Sequence, residues 1–356
     1  MADDHDDLPF YERPEWADVV PLPQDDGPNP LVPIAYAKEY STAMDYFRAI
    51  CRTQEQSERA LELTKIVIEL NSSHYTVWHY RQVLLKALNK DLNEEMEWIQ
   101  DMVIEHPKSY QIWRHRQVVV EYRSEQFMPT APTTPLVPTS ATTPVPTIKY
   151  QDLASNQQEA IQEIVRVELQ CLKEALAEDA KNYHAWSYRQ WVMAHFGPGP
   201  WWDEELAYVD ELLSIDIRNN SAWNQRYFTI TEGPKGLTEE LLQKEVEYTK
   251  AKIQRTPNNE SPWVYLSGIL NRARHPVTEV KEFCESLVPS IRANCSPFLH
   301  STLLDIYELE AKEGLNKESL ELAKGECSIL SEKVDTIRSK YWDWRKTQLK
   351  ITAVDA

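Results

Sequence analysis

The sequence predicts an all-α fold, an α-α superhelix in which tetratricopeptide-like helical hairpins stack into a right-handed, crescent-shaped solenoid. Three observations predict it. A tryptophan recurs with a Tyr or Asn three places before it and an arginine three places after, as in Tyr75-x-x-Trp78-x-x-Arg81, Tyr110-x-x-Trp113-x-x-Arg116, Tyr183-x-x-Trp186-x-x-Arg189 and Asn220-x-x-Trp223-x-x-Arg226. The spacing is that of stacked helical pairs: 35 residues from Trp78 to Trp113, 37 from Trp186 to Trp223 and 40 from Trp223 to Trp263. Glycine is scarce, 8 in 356 residues, and Glu, Leu, Ala, Lys and Gln fill the long segments, a composition that favours helix.

Residues 1–33 carry nine acidic residues in the first 26 positions and the prolines Pro21, Pro23, Pro28, Pro30 and Pro33. Such an extension buries too little apolar surface to order its outer part, and its Trp16 region is the part expected to dock. The repeat domain spans 34–346. From Tyr36 onward apolar residues recur at spacings near three and four, through Met44, Phe47 and Ile50 and then Leu61, Ile66 and Leu70. Each later unit places a short polar turn directly before its tryptophan helix. The turns are Asn71-Ser72-Ser73, His106-Pro107-Lys108-Ser109, Asp179-Ala180-Lys181-Asn182, Asp216-Ile217-Arg218-Asn219 and Thr256-Pro257-Asn258-Asn259. Asn and Ser supply caps, while Pro107 and Pro257 stop the preceding helix. Amphipathic partner helices are expected over 92–105, 162–178, 204–215 and 241–255, and a closing pair over 297–311 and 318–344. The 73 residues from Trp113 to Trp186 hold the exception, a segment over 127–148 with six prolines and seven threonines by Thr147. It reads as a surface loop inserted between repeats. Residues 347–356 form a tail.

A net charge of −18, from 56 acidic against 38 basic residues, argues against a nucleic-acid surface. No apolar run approaches the roughly 20 residues that span a bilayer. The N-terminus opens acidic, unlike a secretory leader. The cysteines Cys51, Cys171, Cys284, Cys295 and Cys327 are odd in number and lack CxxC spacing, as expected of reduced thiols in the cytoplasm. No phosphate-binding loop, nucleophile elbow, HExxH or Cys/His quartet is present. The chain is therefore not expected to run a reaction alone, and no metal site is expected in it.

Residues three and six apart on a helix share one oblique stripe, so Tyr, Trp and Arg occupy a common face. Trp78, Trp113, Trp186, Trp223 and Trp263 are expected to fill the space between neighbouring pairs. Arg81, Arg116, Arg189 and Arg226 can reach carbonyls or carboxylates at the end of an adjoining helix. Five places ahead of the tryptophan stand Lys108, Lys181 and Arg218, each before a helix N-terminus, where the dipole favours negative charge. Two readings stay open: a row of cations rimmed by Tyr110, Tyr183 and His184, or lysines that cap the preceding helix and remain solvated.

These blocks resemble the repeats of protein prenyltransferase α subunits, most closely those serving farnesyl and type I geranylgeranyl transfer. The likeness runs from Glu15-Trp16-Ala17-Asp18 and Asp26-Gly27-Pro28-Asn29-Pro30, through Asp45-Tyr46-Phe47-Arg48-Ala49-Ile50, to Asp335-Thr336-Ile337-Arg338 and Tyr341-Trp342. The resemblance implies a crescent that wraps a β subunit, the partner holding the zinc, the isoprenoid pocket and most of the diphosphate ligands, with magnesium serving the whole enzyme. The thiolate of a C-terminal CaaX cysteine, on substrates such as small GTPases, attacks C1 of the isoprenoid diphosphate. It further implies Lys108 against the diphosphate, Tyr110, Tyr183 and His184 near it, and Asn182 supporting that edge. Gln111 matches a contact to the CaaX carboxylate and Tyr75 a position near the peptide. The fifth unit departs, with Glu260 and Leu266 where Tyr and Arg would stand, and is expected to contribute architecture alone. Two alternatives remain at this stage: the α subunit of a Rab-type geranylgeranyltransferase, and a non-catalytic peptide-binding scaffold.

Overall fold

The computed structural model describes residues 8–125, 127, 150–290, 293–314 and 316–350. Most of the expected insertion at 127–148, and residues 351–356 of the tail, lie outside the described residues. Among those described there are fifteen α-helices and no strand, in two compact units, Met1–Gly197 and Pro198–Ala356.

The first unit holds α1 (Lys38–Thr53), α2 (Glu58–Leu70), α3 (Tyr75–Ala87), α4 (Leu92–Glu105), α5 (Tyr110–Glu125), α6 (Ser155–Glu178) and α7 (Tyr183–Phe196). Helices pair as α2/α3, α4/α5 and α6/α7, and the tryptophan helices α3, α5 and α7 then pack on one another in order. The N-terminal extension docks through its first part, up to Leu22, whose N–H bonds the Asp45 carbonyl, whereas Leu31 and Val32 further on are exposed. Two 3-10 turns, Phe10–Glu12 and Pro14–Trp16, bury Phe10 and Trp16. Their rings meet edge to face at 5.3 Å, and each meets Tyr46 of α1 at 5.4 and 5.5 Å. Arg59 of α2 ties the segment down through Asp18 at 2.6 and 3.1 Å and through the Glu15 carbonyl.

The second unit holds α8 (Trp201–Ile215), α9 (Asn220–Glu232), α10 (Glu239–Arg255), α11 (Glu260–Ala273), α12 (Lys281–Leu287), α13 (Pro297–Glu313), α14 (Lys317–Ile329) and α15 (Ser339–Gln348). Pairing continues as α8/α9, α10/α11 and α13/α14, with α9 on α11. The closing helix expected over 318–344 is broken. After α14 comes a π-helical turn, Leu330–Val334. Asp335 then takes the Trp342 indole at 2.8 Å and the Arg338 guanidinium at 2.6 Å, redirecting the chain into α15.

One hydrogen bond explains the recurring tryptophan. Each indole Nε1 donates to the carbonyl six places earlier, in the turn before its own helix. The pairs are Trp78 to Ser72 (2.8 Å), Trp113 to Pro107 (2.9 Å), Trp186 to Ala180 (3.0 Å), Trp223 to Ile217 (2.9 Å) and Trp263 to Pro257 (2.9 Å). The buried ring thus carries its polar atom to an acceptor. Several of these carbonyls accept a second bond, from the turn of the following hairpin: Ser109 Oγ on Ser72 (3.5 Å), Asn182 Nδ2 on Pro107 (3.0 Å), Asn259 Nδ2 on Ile217 (2.9 Å) and Ser296 Oγ on Pro257 (2.6 Å). The turns are therefore laced edge to edge. The pattern also exposes a further, degenerate unit: His300 Nε2 bonds the carbonyl of Asn294, six places earlier, at 2.9 Å, in the register of a tryptophan.

Candidate functional site

The arginines settle into buried ion pairs. Arg81 forks onto Glu95, with Nε to Oε1 at 2.7 Å, and Arg116 forks onto Glu168 at 2.6 and 3.1 Å. In the second unit Arg226 forks onto Glu245 at 2.6 and 2.8 Å. Arg189 is buried too, with a long bond to the Leu169 carbonyl at 3.4 Å. Glu95, Glu168 and Glu245 each receive a second donor two places after a tryptophan, His115 (2.7 Å), Tyr188 (2.8 Å) and Tyr265 (2.6 Å), and Gln225 at the same offset bonds buried Glu205 (2.7 Å). Reasoning from sequence missed these glutamates, although a signal was there: Glu95, Glu168, Glu205 and Glu245 each stand 18 residues before a tryptophan. Burial alone would disfavour the charge of Glu95, but hydrogen bonds from His115 and Arg81 outweigh it and hold its carboxyl at about 2. Burial lowers His115 below the ordinary histidine range. Its partners agree with a neutral ring, Nε2 donating to Glu95 while Nδ1 accepts from Gln82 at 3.2 Å.

The outward-facing positions of the same turns form the candidate site, which lies in the first unit. Tyr75, Tyr110 and Tyr183 open α3, α5 and α7 and are exposed. The Tyr110 ring stands edge-on to the His184 ring at 4.1 Å, and Tyr183 meets the same imidazole at 5.6 Å. Partial burial lowers the proton affinity of His184, leaving a neutral imidazole at neutral pH. Asn182 is buried and bonds in two directions. Its Oδ1 caps α7 by accepting from the backbone N–H groups of His184 and Ala185 at 2.9 and 3.2 Å, while its Nδ2 holds the Pro107 carbonyl. Lys108 follows that carbonyl directly. Its side chain is 79% exposed, and its Nζ lies 3.8 Å from Asp179 Oδ2. Gln111 is half-buried and accepts from Ser109 Oγ at 3.4 Å.

Lys108, Tyr110, Asn182, Tyr183 and His184 thus come together on two adjacent turns. Tyr75 does not join them; its ring packs beside His74 at 6.4 Å, one turn back along the row. Two helix N-termini and an ammonium, edged by phenol and imidazole groups, make a rim suited to a multiply charged anion. Among the described residues no three His, Cys, Asp or Glu side chains converge so as to hold a metal ion, so the zinc and magnesium implied by the resemblance have no fitting donor set here. Among the same residues no helix is long and apolar enough to cross a membrane.

Hairpins repeated in register, laced by tryptophan and edged on two turns by a basic, aromatic rim, define a helical-repeat protein whose candidate site is exposed. The model of the protein prenyltransferase alpha subunit repeat matches five of them, at 57–88, 92–123, 165–196, 202–232 and 242–273. The chain is 39% identical to a protein farnesyltransferase/geranylgeranyltransferase type-1 subunit alpha from Arabidopsis thaliana, over 98% of each chain. It is 38% identical to the subunit of that name from Dictyostelium discoideum, over 95% of this chain and 93% of that one. The solved Candida albicans protein geranylgeranyltransferase-I complexed with GGPP includes a chain that superposes with a TM-score of 0.76 at 28% identity, over 94% of this chain and 98% of that one. A geranylgeranyl transferase type-2 subunit alpha from Rattus norvegicus matches at 26% identity over 62% of this chain. The chain belongs to the protein prenyltransferase α-subunit family.

Proposed function

We propose that this chain is the α subunit of a heterodimeric CaaX protein prenyltransferase, transferring farnesyl, or geranylgeranyl with a second kind of β partner, to the cysteine of a C-terminal CaaX tail. The observation that carries the reading is the juxtaposition of Lys108 with the edge-to-face pair Tyr110 and His184 at the N-termini of α5 and α7. The near full-length likeness to type-1 subunits supports this reading over a Rab-type α subunit. In this reading the β subunit holds the isoprenoid diphosphate, and zinc and magnesium are bound by its residues and not by this chain's.

As the cysteine thiolate forms its S–C bond with C1 of the isoprenoid, the C1–O bond breaks and pyrophosphate departs with the electron pair. Lys108 meets the charge that accumulates on that leaving group, as a point-charge ammonium placed before the reaction begins. Tyr110 and Tyr183 donate hydroxyl hydrogens to the diphosphate, and neutral His184 donates its ring N–H. Asn182 holds the two turns at their working separation. Gln111 and Tyr75 serve the peptide side. Five cysteines free of disulfides support a cytoplasmic location.

The test is to co-purify the chain with a CaaX-prenyltransferase β subunit and follow transfer from radiolabelled isoprenoid diphosphate to a short CaaX peptide. The expected result is labelling that needs both chains and no escort protein. A well-formed heterodimer that labels no CaaX peptide would overturn the reading, and labelling of a Rab protein only in the presence of an escort would favour the alternative.

A further inference from the structure

The residue seven places ahead of the tryptophan has a local task in three of the turns. Asn71 Oδ1 accepts the Ser73 N–H at 3.1 Å, Asp179 Oδ1 accepts the Lys181 N–H at 3.2 Å, and Asp216 Oδ1 accepts the Arg218 N–H at 2.9 Å. One oxygen performs this task, and Asn71 performs it without charge. The carboxylate at position 179 is therefore more than the turn requires. It caps the C-terminal end of α6, where the helix dipole disfavours negative charge. Its second oxygen, Oδ2, points at a neighbouring turn and lies 3.8 Å from Lys108 Nζ, with Asp179 39% exposed. The separation is set by the backbone, because Asn182 in the same turn as Asp179 is bonded to the carbonyl immediately before Lys108.

We propose that Asp179 is a positioning residue for Lys108, a built-in counter-charge that keeps the ammonium over the Tyr110–His184 rim and yields it when a diphosphate arrives. The inference rests on the reading of Lys108 as a diphosphate contact and deepens it. Asp179 occupies the ammonium in the empty enzyme, so it competes with every anion that uses Lys108. It therefore weakens binding of the pyrophosphate product and favours its release. The pair is exposed, which keeps the competition modest and sensitive to salt.

The experiment uses the heterodimer and inorganic pyrophosphate as the probe, with dissociation constants measured at low and high ionic strength for wild type, Asp179→Asn, Asp179→Glu, Lys108→Ala and the Lys108→Ala/Asp179→Asn double variant. Asp179→Asn keeps the oxygen that the turn needs and is expected to tighten pyrophosphate by roughly two- to five-fold at low salt, with the gain shrinking at high salt. Asp179→Glu, which keeps the charge, is expected to show no such gain. In the Lys108→Ala background the Asp179→Asn gain should disappear. An unchanged constant for Asp179→Asn overturns the inference, and so does an equal gain without Lys108, which would mark a diffuse field effect. If Lys108→Ala weakens pyrophosphate while Asp179→Asn does nothing, only the inference falls. If Lys108→Ala itself leaves pyrophosphate binding unchanged, the reading of Lys108 falls with it.

Discussion

The turn before α5 and the turn before α11 are built alike and differ in what they present. In both, a tryptophan indole bonds a proline carbonyl at 2.9 Å, Trp113 to Pro107 and Trp263 to Pro257. In both, that carbonyl takes a second donor from the following hairpin, Asn182 in one case and Ser296 in the other. Outward, the first offers Lys108 and Tyr110 and the second Asn258 and Glu260. The repeat thus carries two registers. Inward positions hold one hairpin against the next, and outward positions are free to bear chemistry or to leave it out.

If the registers are separate, substitutions in the frame should break both turns alike. The largest effect is expected at Glu168, which is fully buried and receives Arg116 and Tyr188. Glu168→Ala leaves a buried guanidinium without its partner and is expected to cost about 3–5 kcal/mol, read as a fall in the denaturant midpoint. Replacing both members, as in Arg116→Met with Glu168→Leu, should recover much of that loss, since the buried pair is a weaker source of stability than its breakage suggests. Trp263→Ala, beside the turn with no proposed chemistry, and Trp113→Ala should each cost about 3–5 kcal/mol, because each buried ring fills the equivalent space between its own neighbouring helices.

Acid sharpens the comparison between units. His115 is held neutral in the fold, so the unfolded chain gains a proton at its ordinary value, near 6.5, that the folded unit refuses; its contribution is present above that value and is lost as pH falls. Glu95, held at about 2, adds a second loss as pH falls from the ordinary carboxylate range toward 2. In the second unit both nitrogens of buried His300 face acceptors, Glu326 at 2.6 Å and the Asn294 carbonyl at 2.9 Å, which fixes the imidazolium. Burial opposes that charge, yet the bond to Glu326 and the backbone acceptor raise its proton affinity. Its stabilisation is complete below the ordinary value and fades as pH rises through the raised one. Melting temperatures of His300→Gln against wild type should therefore differ most near pH 5.5 and converge at high pH, whereas His115→Gln should show the reverse trend.

Much of the frame was legible in the sequence, because a tryptophan tied to its own turn has little freedom to become anything else. The glutamates escaped for a physical reason. On amphipathic helices rich in Glu, a buried carboxylate such as Glu168 looks the same as a solvated one until its partner, 52 residues away in sequence for Arg116, is brought alongside. His300 escaped because it keeps the register while changing the residue type, and the break at 330–338 because it depends on Asp335 gathering Arg338 and, from α15, Trp342. At the proposed site, fixed offsets from the tryptophan put Lys108 and Tyr110 in the turn that opens α5, whereas the role proposed for His184 came from the resemblance. The bond from Asn182 back to Pro107, across 75 residues, was not.

Smaller effects are expected at the outward register. Asn182→Ala removes a helix cap and the bond to the neighbouring turn; it should cost about 1–2 kcal/mol of stability and slow transfer as the rim loosens. Asn258→Lys, which gives the turn before α11 the cation of the turn before α5, should change stability by less than about 0.5 kcal/mol and transfer not at all.

The most direct test is a single-turnover rate of isoprenoid transfer measured on the Lys108→Ala heterodimer, with its melting temperature taken on the same preparation. The account predicts a rate lower by on the order of 100-fold with an unchanged melting temperature and an intact complex. An unaltered rate, or a rate lost only in step with the fold, would contradict it.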